Sequence, residues 1–319
     1  MEKNAKIYIA GHRGLVGGAV LRKLQPEGYT NLLIRSHKEL DLLDQAAVNA
    51  FFEKEKPEYV FLAAAKVGGI GANSTYPADF IYQNTMIGFN VVHAAYKNNV
   101  KKLINLGSSC IYPKLAPQPL KEEYLLSDLL EPTNEAYAIA KINMIKLCTY
   151  YNQQYGTNYL SAMPANLYGP GDNYEPNGSH VLPALIRKFH EAKVSGSDRV
   201  ILWGDGSPRR EFLFSDDLAE ALVLLMQKHN AKDLSNPAGD FVNIGSGKDL
   251  TIKELAEKIR DIVYADISNR TCQIEWDSSK PNGTPQKLLD ISRITNLGFS
   301  QKISLTRGIE LAYKDFLSK

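Results

Sequence analysis

The feature that most constrains the fold lies near the N-terminus, where a short apolar run leads directly into three spaced glycines. Lys6 to Ala10 has the composition of a buried strand, Gly11-His-Arg-Gly-Leu-Val-Gly17 follows at once, and helical spacing of apolar residues then resumes. Glycines in such a turn let the backbone approach a pyrophosphate, and the start of the next helix faces the phosphate charge. The pattern predicts a dinucleotide-binding strand–turn–helix unit. The alternative is a glycine-rich turn that serves packing alone.

Strand and helix patterns go on alternating along the first half of the chain. Strand-like apolar runs cover 31–35, 58–63, 102–106 and 158–163, and long helical patterns cover 77–100 and 135–155. Alternation of this kind predicts an α/β fold, a Rossmann-type doubly wound parallel sheet with helices on both faces. Because ligands of such sheets lie at the carboxyl ends of the strands, we expect Ser108 to Cys110 to lie in the site.

Beyond Tyr168 the alternation becomes irregular. Short strands are predicted at 199–203, 210–214, 241–244 and 273–276, with helices near 181–193 and at 305–316. Ser215 or Asp216 is expected to cap a further helix that runs to about 229, and Thr251 to cap the one that follows it. We therefore predict a cofactor-binding Rossmann domain over residues 1–167, to which later segments at about 210–250 return. Residues 168–319 are predicted to form mainly a smaller α/β substrate-binding lobe.

Composition excludes several other classes of protein. The 319 residues carry a net charge of +2, which gives no reason to expect nucleic acid or a membrane as partner. The three cysteines, Cys110, Cys148 and Cys272, lack the spacing of metal ligands, so no metal is expected. Neither a signal peptide nor an apolar run of about 18 residues is visible. These observations predict a cytoplasmic protein.

A tyrosine and a lysine stand four residues apart in the second long helical pattern, whose apolar residues, Ile139 among them, predict one buried face. Tyr137 and Lys141 would lie one turn above each other on such a helix. An ammonium beside a phenol favours the phenolate, so we expect Lys141 to lower the pKa of Tyr137 and make it a usable proton donor and acceptor. The alternative is a solvated helix face, where such pairs recur.

The end of the second strand bears on the choice of cofactor. NAD-binding proteins usually have an acidic residue there for the ribose 2′-hydroxyl, whereas this chain runs Arg35-Ser-His-Lys38, with Arg13 in the first turn. Several donors without an early carboxylate suit a 2′-phosphate and predict NADP, with NADPH as hydride donor. A solvated basic turn is the alternative, and Glu39 and Asp41 follow closely.

With these pieces in place, the chain resembles the extended short-chain dehydrogenase/reductase family. It is most similar to the members that convert GDP-4-keto-6-deoxy-D-mannose to GDP-L-fucose. The resemblance runs from Lys6 into the last helix. It is carried by these motifs: Gly11-His-Arg-Gly-Leu-Val-Gly17, Leu106-Gly-Ser-Ser-Cys-Ile-Tyr-Pro-Lys114, Glu131-Pro-Thr-Asn-Glu-Ala-Tyr-Ala-Ile-Ala-Lys141, Pro164-Ala-Asn-Leu-Tyr-Gly-Pro170, Ser179-His-Val-Leu-Pro-Ala-Leu185, Trp203-Gly204, Arg210-Glu-Phe-Leu213 and Lys280-Pro-Asn-Gly-Thr-Pro285.

The resemblance implies an enzyme that epimerises a GDP-sugar at C3 and C5 and reduces its C4 ketone with NADPH. Ser108, Tyr137 and Lys141 match the family's reductive triad, Cys110 its epimerisation base, and His180 the opposing acid. It also implies a homodimer in which the two long helices pair across a two-fold axis.

Cofactor and substrate contacts are carried over position by position. The residues expected to bind the cofactor are Gly11, His12, Arg13, Gly14, Leu15, Val16, Gly17, Arg35, His37, Asp41, Leu42, Ala63, Ala64, Ala65, Leu106, Gly107, Ser108, Lys141, Pro164, Ala165, Asn166, Leu167 and His180. Those expected to bind the substrate are Ser109, Lys188, Trp203, Arg210, Asn282 and Lys287.

Three of these residues depart from the family pattern. Lys188 stands where the family often has a diphosphate-binding Arg, Asn282 where relatives often have Asp, and His37 where some have Arg. A lysine keeps the charge of an arginine but loses its bidentate fork, so these departures concern ligand contacts rather than the reaction.

Taken singly, several site residues also have ordinary structural readings. Cys110 could be a small buried apolar residue, His180 a helix-start histidine, and Trp203 a core residue rather than a platform for guanine. Arg210 could simply pair with Asp216 or Asp217.

Two other functions stay open at this point. One is another nucleotide-sugar enzyme, a 4-epimerase or a 4,6-dehydratase, although dehydratases usually carry an Asp-Glu pair where this chain has Ser109-Cys110. The other is a module that senses NADP without chemistry, and such modules typically lack the Tyr-Lys pair.

Overall fold

A computed structural model of the chain describes residues 1–176, 178–267, 272–280 and 282–319. Pro281, which belongs to one of the quoted motifs, and Asn177 lie outside the described residues.

Strands and helices alternate through the first half, as the sequence predicts. In chain order they are β1 (Ile7–Ala10), α1 (Leu15–Leu24), β2 (Leu32–Leu33), α2 (Gln45–Glu55), β3 (Tyr59–Leu62), α3 (Ile70–Thr75), α4 (Pro77–Lys97), β4 (Lys102–Leu106), α5 (Glu135–Tyr155) and β5 (Tyr159–Pro164). The short helix α3 is not anticipated by the sequence analysis.

The second half is less regular. Its elements are β6 (Asn166–Tyr168), α6 (Val181–Ser195), β7 (Arg199–Trp203), β8 (Arg209–Phe214), α7 (Ser215–Lys228), α8 (Ala231–Leu234), β9 (Ser235–Asn236), β10 (Gly239–Ile244), β11 (Asp249–Thr251), α9 (Ile252–Val263), β12 (Gln273–Asp277), β13 (Gln286–Lys287), α10 (Ser292–Asn296) and α11 (Leu305–Leu317).

The large sheet has the strand order β2-β1-β3-β4-β5-β10-β9. All neighbouring pairs in it are parallel except β10 with β9. Because β1, β3, β4 and β5 are neighbours and parallel, their carboxyl ends meet at one edge of the sheet. The predicted Rossmann-type α/β fold is confirmed.

Residues of β1 show why helices cover both faces of this sheet. Ile7 and Ile9 pack in the core that contains α1 and α7, whereas Tyr8 and Ala10 pack in the core that contains α2, α4 and α5. Successive side chains of a strand point to opposite faces, so a strand that is apolar at every position must be covered twice.

A third core lies among α6, α9 and α11 and the strands β6, β7 and β8. The strands of this part form a sheet of β11, β8 and β13, with β6 also paired to β8, and a separate pair of β12 and β7. The division of the chain at residue 167 stays a prediction. Within the range 210–250, β10 joins the large sheet while β8 lies in the smaller one.

Three details differ from the sequence analysis. The strand expected at 31–35 covers only β2, at the edge of the sheet, and Ile34 is exposed. Ile139, expected on the buried face of α5, is 36% exposed. The capping residue expected for α7, Ser215 or Asp216, is wrong because Phe214 precedes the helix and no side chain caps it.

Two acidic residues at the start of α7 have other partners than expected. Asp216 pairs with Arg22 of α1 at 2.6 Å, and Asp217 accepts hydrogen bonds from the backbone of Lys302 and Ile303. The pairing of Arg210 with either of them is therefore not formed. The predicted cap Thr251 is confirmed, since its side chain accepts from the Glu254 N–H in a capping box.

None of the described helices has both the length and the apolar character needed to cross a membrane.

Candidate active site

The glycine turn after β1 brings backbone to the edge of the sheet. Gly11 has φ of +87°, and a Cβ there would lie 2.7 Å from the Ala64 nitrogen. A Cβ at Gly17 would overlap the Gly11 carbonyl oxygen, so α1 starts close beneath the turn only because both positions are glycine. Gly14 caps α1 without a side chain, which leaves the positive end of the helix turned to the cleft above it.

A cleft of ≈ 730 Å³ opens at this edge of the sheet. Most of the residues expected to bind a cofactor line it, namely Gly11, Gly14, Leu15, Val16, Gly17, Arg35, His37, Asp41, Leu42, Ala63, Ala64, Ala65, Leu106, Gly107, Ser108, Lys141, Pro164, Ala165, Asn166, Leu167 and His180, together with Ser109 and Tyr137. The structure thus brings together residues from seven separate stretches of the chain, although what they bind stays a prediction.

Two residues of the glycine turn do not line the cleft. Arg13 is exposed, and the Nδ1 atom of His12 is buried without a hydrogen-bond partner among the described residues. Arg35 lines the cleft while its guanidinium pairs with Glu55 at 2.9 Å. The carboxylate of Glu39 accepts from the N–H and the hydroxyl of Ser36 at 2.7 and 2.6 Å, which gives this early acid a local partner.

Tyr137 and Lys141 lie on successive turns of α5, as expected. The Lys141 ammonium donates to the Leu106 carbonyl at 2.7 Å and lies 5.6 Å from the centre of the Tyr137 ring. The expectation that Lys141 lowers the pKa of Tyr137 is wrong for this structure. Burial raises the pKa of Tyr137 above its ordinary value, and the nearby Cys110 raises it further. Burial also lowers the pKa of Lys141, to about 8.

Ser108 and Cys110 lie directly after β4. A turn of 3₁₀ helix covers Ser109–Ile111, and the Ser108 hydroxyl accepts from the Cys110 N–H at 3.4 Å. Cys110 is buried, and burial raises the pKa of its thiol, whereas Lys287, the Ser108 hydrogen bond and Lys141 act in the opposite direction. Ser108 and Tyr137 therefore line the cleft, whereas Cys110 lies in the buried turn next to Ser108 and does not line it.

His180 lines the cleft from the start of α6. It is the N-cap of α6 and lines the cleft, and desolvation there lowers the pKa of its imidazole. A neutral imidazole can accept a proton and, once it is an imidazolium, return it, which is the chemistry a general acid–base group requires.

The other residues expected to bind substrate lie outside this cleft, in two groups. Trp203 is 61% exposed, and its neighbour Gly204 (φ +79°) has no room for a Cβ because Asn282 is against it. Asn282 accepts from the Asp205 N–H at 3.0 Å, and the Lys188 ammonium donates to the Ile201 carbonyl at 2.9 Å.

The second group lies nearer to Cys110. Lys287 of β13 stands opposite Arg210 of β8 in a parallel pairing. Burial lowers the pKa of Arg210 to about 10, with Glu131 acting in the opposite direction. Two cations side by side form a surface suited to phosphate or another anion.

Sequence reasoning missed several residues of the cleft. Gln83 and Ile87 of α4 line it, as do Lys66, Gly68, Asp172 and Asn173. The spacing of four between Gln83 and Ile87 could have pointed to one helix face, but nothing local shows which face meets the cleft. The loop bearing Lys66 is held by the Asn84 amide, which bonds both its N–H and its carbonyl at 2.9 and 3.0 Å.

Across the described part of the chain, no group of three or more His, Cys, Asp or Glu side chains is arranged to hold a metal ion.

Comparison with known proteins gives a consistent result. The profile of the NAD dependent epimerase/dehydratase family matches residues 7–245. The chain is 55% identical over 316 residues to GDP-L-fucose synthase 1 of Arabidopsis thaliana, covering 99% of this chain and 94% of the relative. It is 52% identical over 314 residues to GDP-L-fucose synthase of Escherichia coli K12, covering 98% and 96%.

Solved structures give the same picture. A GDP-mannoheptose C4 reductase from Campylobacter jejuni, solved with NADP bound, superposes with a TM-score of 0.90 at 42% identity, covering 99% of each chain.

Proposed function

The chain belongs to the NAD dependent epimerase/dehydratase family, and from that premise we propose that it converts GDP-4-keto-6-deoxy-D-mannose to GDP-L-fucose. The reaction inverts C3 and C5 and then reduces the C4 ketone. The observation that carries the proposal is the identity of 52% and 55% to GDP-L-fucose synthases over nearly the whole chain. The cleft with Ser108, Tyr137, Lys141 and His180 at its wall supports it.

NADP is the proposed cofactor. The glycine turn fits a dinucleotide because Gly11 and Gly17, where a Cβ would meet the backbone of Ala64 and of Gly11, let the turn and the start of α1 pack closely at the edge of the cleft. Arg35 and His37 line the cleft at the end of β2, where a 2′-phosphate would meet them. When bound, NADPH supplies the hydride for C4.

Three residues handle the C4 oxygen in the reduction. Tyr137 donates its phenolic proton to that oxygen, and its raised pKa keeps the proton in place through the neutral range. Ser108 donates a second hydrogen bond to the same atom. Lys141, fixed by the Leu106 carbonyl, places its charge next to the phenol and stabilises the phenolate that forms.

Two further residues handle the protons at C3 and C5. A C4 ketone acidifies the hydrogens on both neighbouring carbons, so each centre can invert through an enolate. In our proposal Cys110 as thiolate removes the proton and becomes a thiol, while His180, protonated to the imidazolium, returns one from the opposite face. Tyr137 and Ser108, already bonded to the C4 oxygen, stabilise the enolate charge.

The nucleotide half of the substrate is assigned to the outlying residues. Trp203 presents an exposed ring beside Gly204 on which a guanine can stack, and Asn282 lies against that turn. Lys188 and Arg210 are the proposed partners of the diphosphate, and Ser109 and Lys287 those of the sugar side. Lys188 can offer the diphosphate only a point charge, without the fork of an arginine.

Deuterium exchange tests the assignment of acid and base. In heavy water the parent enzyme should place solvent deuterium at C3 and C5 of the keto sugar, as read by NMR or mass spectrometry. Cys110→Ser and His180→Gln should each slow this exchange, by about 10² or more. Both should still reduce a keto sugar that needs no epimerisation. Cys148→Ala, at another buried cysteine of the core, is the matched control and should exchange as the parent does.

A second candidate function has a specific observation in its favour. The Campylobacter jejuni relative at 42% identity is named a C4 reductase, and the second candidate for this chain is C4 reduction without epimerisation. That function predicts NADPH consumption with no deuterium at C3 or C5. A parent enzyme that behaves so would replace our proposal, and unchanged exchange in both variants would place the acid and base elsewhere.

We further propose a homodimer that forms through α4 and α5. Tyr82, Met86 and Phe89 follow each other at spacings of four and three on α4, and Tyr82 and Phe89 are exposed. Tyr150 of α5 is 58% exposed and Ile139 is 36% exposed. A second copy of this chain is the occupant that a two-fold pairing of these helices would supply.

A cytoplasmic location is proposed as well. The described cysteines are free and buried, as in proteins that stay in a reducing compartment. Cell fractionation would test this, since recovery with secreted or periplasmic markers would contradict it.

A further inference from the structure

The backbone around Lys287 lies between two other segments of the chain and is hydrogen-bonded to both. On one side β13 pairs with β8, and the Arg209 N–H donates to the Pro285 carbonyl at 2.8 Å. On the other side the segment that follows the Cys110 turn runs alongside. The Leu120 N–H donates to the Leu288 carbonyl at 2.7 Å, and the Asp290 N–H donates to the Leu120 carbonyl at 2.9 Å.

One side chain of that segment brackets Lys287 itself. The Gln118 amide oxygen accepts from the Leu288 N–H at 2.9 Å, and its amide nitrogen donates to the Gln286 carbonyl at 3.3 Å. The same nitrogen also reaches the Ala116 carbonyl at 3.4 Å. The side chain thus acts like a peptide group of a neighbouring strand, and fixes the backbone directly before and directly after Lys287.

Lys287 lines a small cleft next to the Cys110 turn. Lys287, Gln118 and Ser109 line it together with Lys114 and Glu131. Ser109 is the residue before Cys110, so the cleft joins the lysine to the turn that carries the thiol.

The carboxylate in this cleft, that of Glu131, pairs with Lys114 and not with Lys287. Glu131 is buried and pairs with Lys114 at 3.0 Å, and it also accepts from the Thr133 N–H at 3.3 Å. Among the ion pairs that the described residues form, none includes Lys287. Burial lowers the pKa of Lys287, and Arg210 lowers it further, whereas Cys110 and Glu131 act in the opposite direction. Burial raises the pKa of Cys110, and Lys287, the Ser108 hydrogen bond and Lys141 lower it.

The two lysines near Cys110 therefore differ in what their ammonium groups contact. Lys141 bonds the Leu106 carbonyl and serves Tyr137, whereas Lys287 has its backbone fixed and its ammonium not paired to a carboxylate within the described residues. A buried thiol loses a proton only where a fixed positive charge compensates the lost hydration.

We infer that Gln118 is a positioning residue that holds the Lys287 ammonium near Cys110, where it stabilises the thiolate that removes the sugar proton. The role of the thiolate as base rests on the function proposed above. Lys287 does not transfer a proton in this scheme. It sets the range of pH over which Cys110 is charged, and Gln118 acts only through it.

The test measures the thiol directly and needs no keto sugar. The rate at which iodoacetamide alkylates Cys110 is followed against pH, with the Cys110 peptide quantified by mass spectrometry, because only the thiolate reacts. Lys287→Met should raise the midpoint by about one pH unit and slow alkylation below it about tenfold. Lys287→Arg keeps the charge and should hold the midpoint near the parent value. Gln118→Ala should raise the midpoint part of the way.

Lys114→Met is the matched control. It removes a lysine of the same cleft whose charge is paired with Glu131, so the midpoint should move much less than in Lys287→Met. A parent midpoint in Lys287→Met, or an equal shift in Lys114→Met, would overturn the role of Lys287. A parent midpoint in Gln118→Ala would overturn the role of Gln118. That variant keeps Lys287, so it also decides the inference if Lys287→Met does not fold.

The outcome is independent of the proposed function. A thiol that responds to Lys287 in an enzyme that places no deuterium at C3 and C5 would refute the epimerase and leave the electrostatic coupling standing. Deuterium exchange at both carbons, together with a Cys110 midpoint that does not change in Lys287→Met, would support the epimerase and refute the electrostatic coupling.

Discussion

At the scale of single residues, burial affects the pKa values of the candidate site more than charge pairs do. Burial raises the pKa values of both Tyr137 and Cys110, because an anion loses part of its hydration there. Lys141 has a lowered one for the same reason. A protonated phenol beside a lysine that can lose its proton suits a group that must deliver a proton and then recover it.

The role of Tyr137 leads to a mutational prediction. Tyr137→Phe removes the proton that the C4 oxygen needs, so reduction of the keto sugar should fall by about 10² or more. Tyr150→Phe, on the same helix but exposed, should leave the rate unchanged. Steady-state NADPH consumption measures both. Reduction at the parent rate by Tyr137→Phe would show that another group donates the proton.

Cofactor choice is a second prediction at this scale. We expect a higher kcat/KM with NADPH than with NADH, because Arg35 and His37 line the cleft and Glu39 bonds Ser36 instead. Arg35→Ala should reduce the preference about tenfold, as a charged hydrogen bond contributes about 1.5 to 3 kcal/mol.

The control for Arg35→Ala is Lys38→Ala, which changes an exposed lysine outside the cleft and should leave the preference for NADPH unchanged. Equal efficiency of the parent with both cofactors would refute the assignment.

At the scale of elements, the loop between β6 and α6 forms one wall of the cleft and depends on α11. The Gly171 N–H donates to the carboxylate of Asp315, and the Lys319 ammonium donates to the Asp172 carbonyl, each at 3.0 Å. Asp172 lines the cleft, and one of its carboxylate oxygens has no hydrogen-bond partner among the described residues. The loop that leads to His180 therefore contains a carboxyl group in an unfavourable setting.

This setting leads to a prediction about pH and stability. Burial raises the pKa of Asp172 from 3.8 to about 7. The folded protein then holds more protons than the unfolded chain between these values, so this group's stabilising contribution is full below pH 3.8 and is lost as pH rises through about 7.

Asp172→Asn should therefore raise the free energy of unfolding by about 1 to 3 kcal/mol near pH 8 and by much less near pH 4. Urea unfolding at both pH values measures the difference. Asp315→Asn, a partner of the same loop, should not reproduce this gain. An equal gain for Asp172→Asn at both pH values would show that its ionisation is not the cause.

At the scale of the whole molecule, α4 and α5 present aromatic surface that one protomer leaves uncovered. Tyr96, Tyr151 and Tyr155 already pack on each other, with Tyr96 and Tyr155 stacked at 4.3 Å. Tyr82 and Tyr150, by contrast, are 63% and 58% exposed. Side chains of this size on two adjacent long helices are typical of an interface between copies.

We predict a homodimer of about twice the chain mass by light scattering at micromolar concentration. Phe89→Glu places a charge in the proposed interface and should shift the protein to monomer without unfolding it. Leu129→Glu, at an exposed apolar residue in a loop, should stay dimeric. A monomeric parent would refute the interface.

Much of this protein could be predicted from local sequence patterns. The apolar run of β1 and the glycines after it predict a strand, a turn and a helix because each depends on neighbours in the chain. The long helix from Glu135 to Tyr155 and the Thr251 cap follow for the same reason, and both are confirmed. The family resemblance added roles for Ser108, Cys110 and His180, which stay predictions.

Tertiary structure decided what depends on residues far apart in the chain. The pKa of Tyr137 is set by the depth of the cleft around it rather than by the lysine one turn away, so the local argument gave the wrong direction. Asp216 pairs with Arg22, which is distant in sequence, and Gln118 holds the backbone around Lys287. Desolvation and such pairings arise only when distant segments meet, because they depend on distances in space that sequence spacing does not contain.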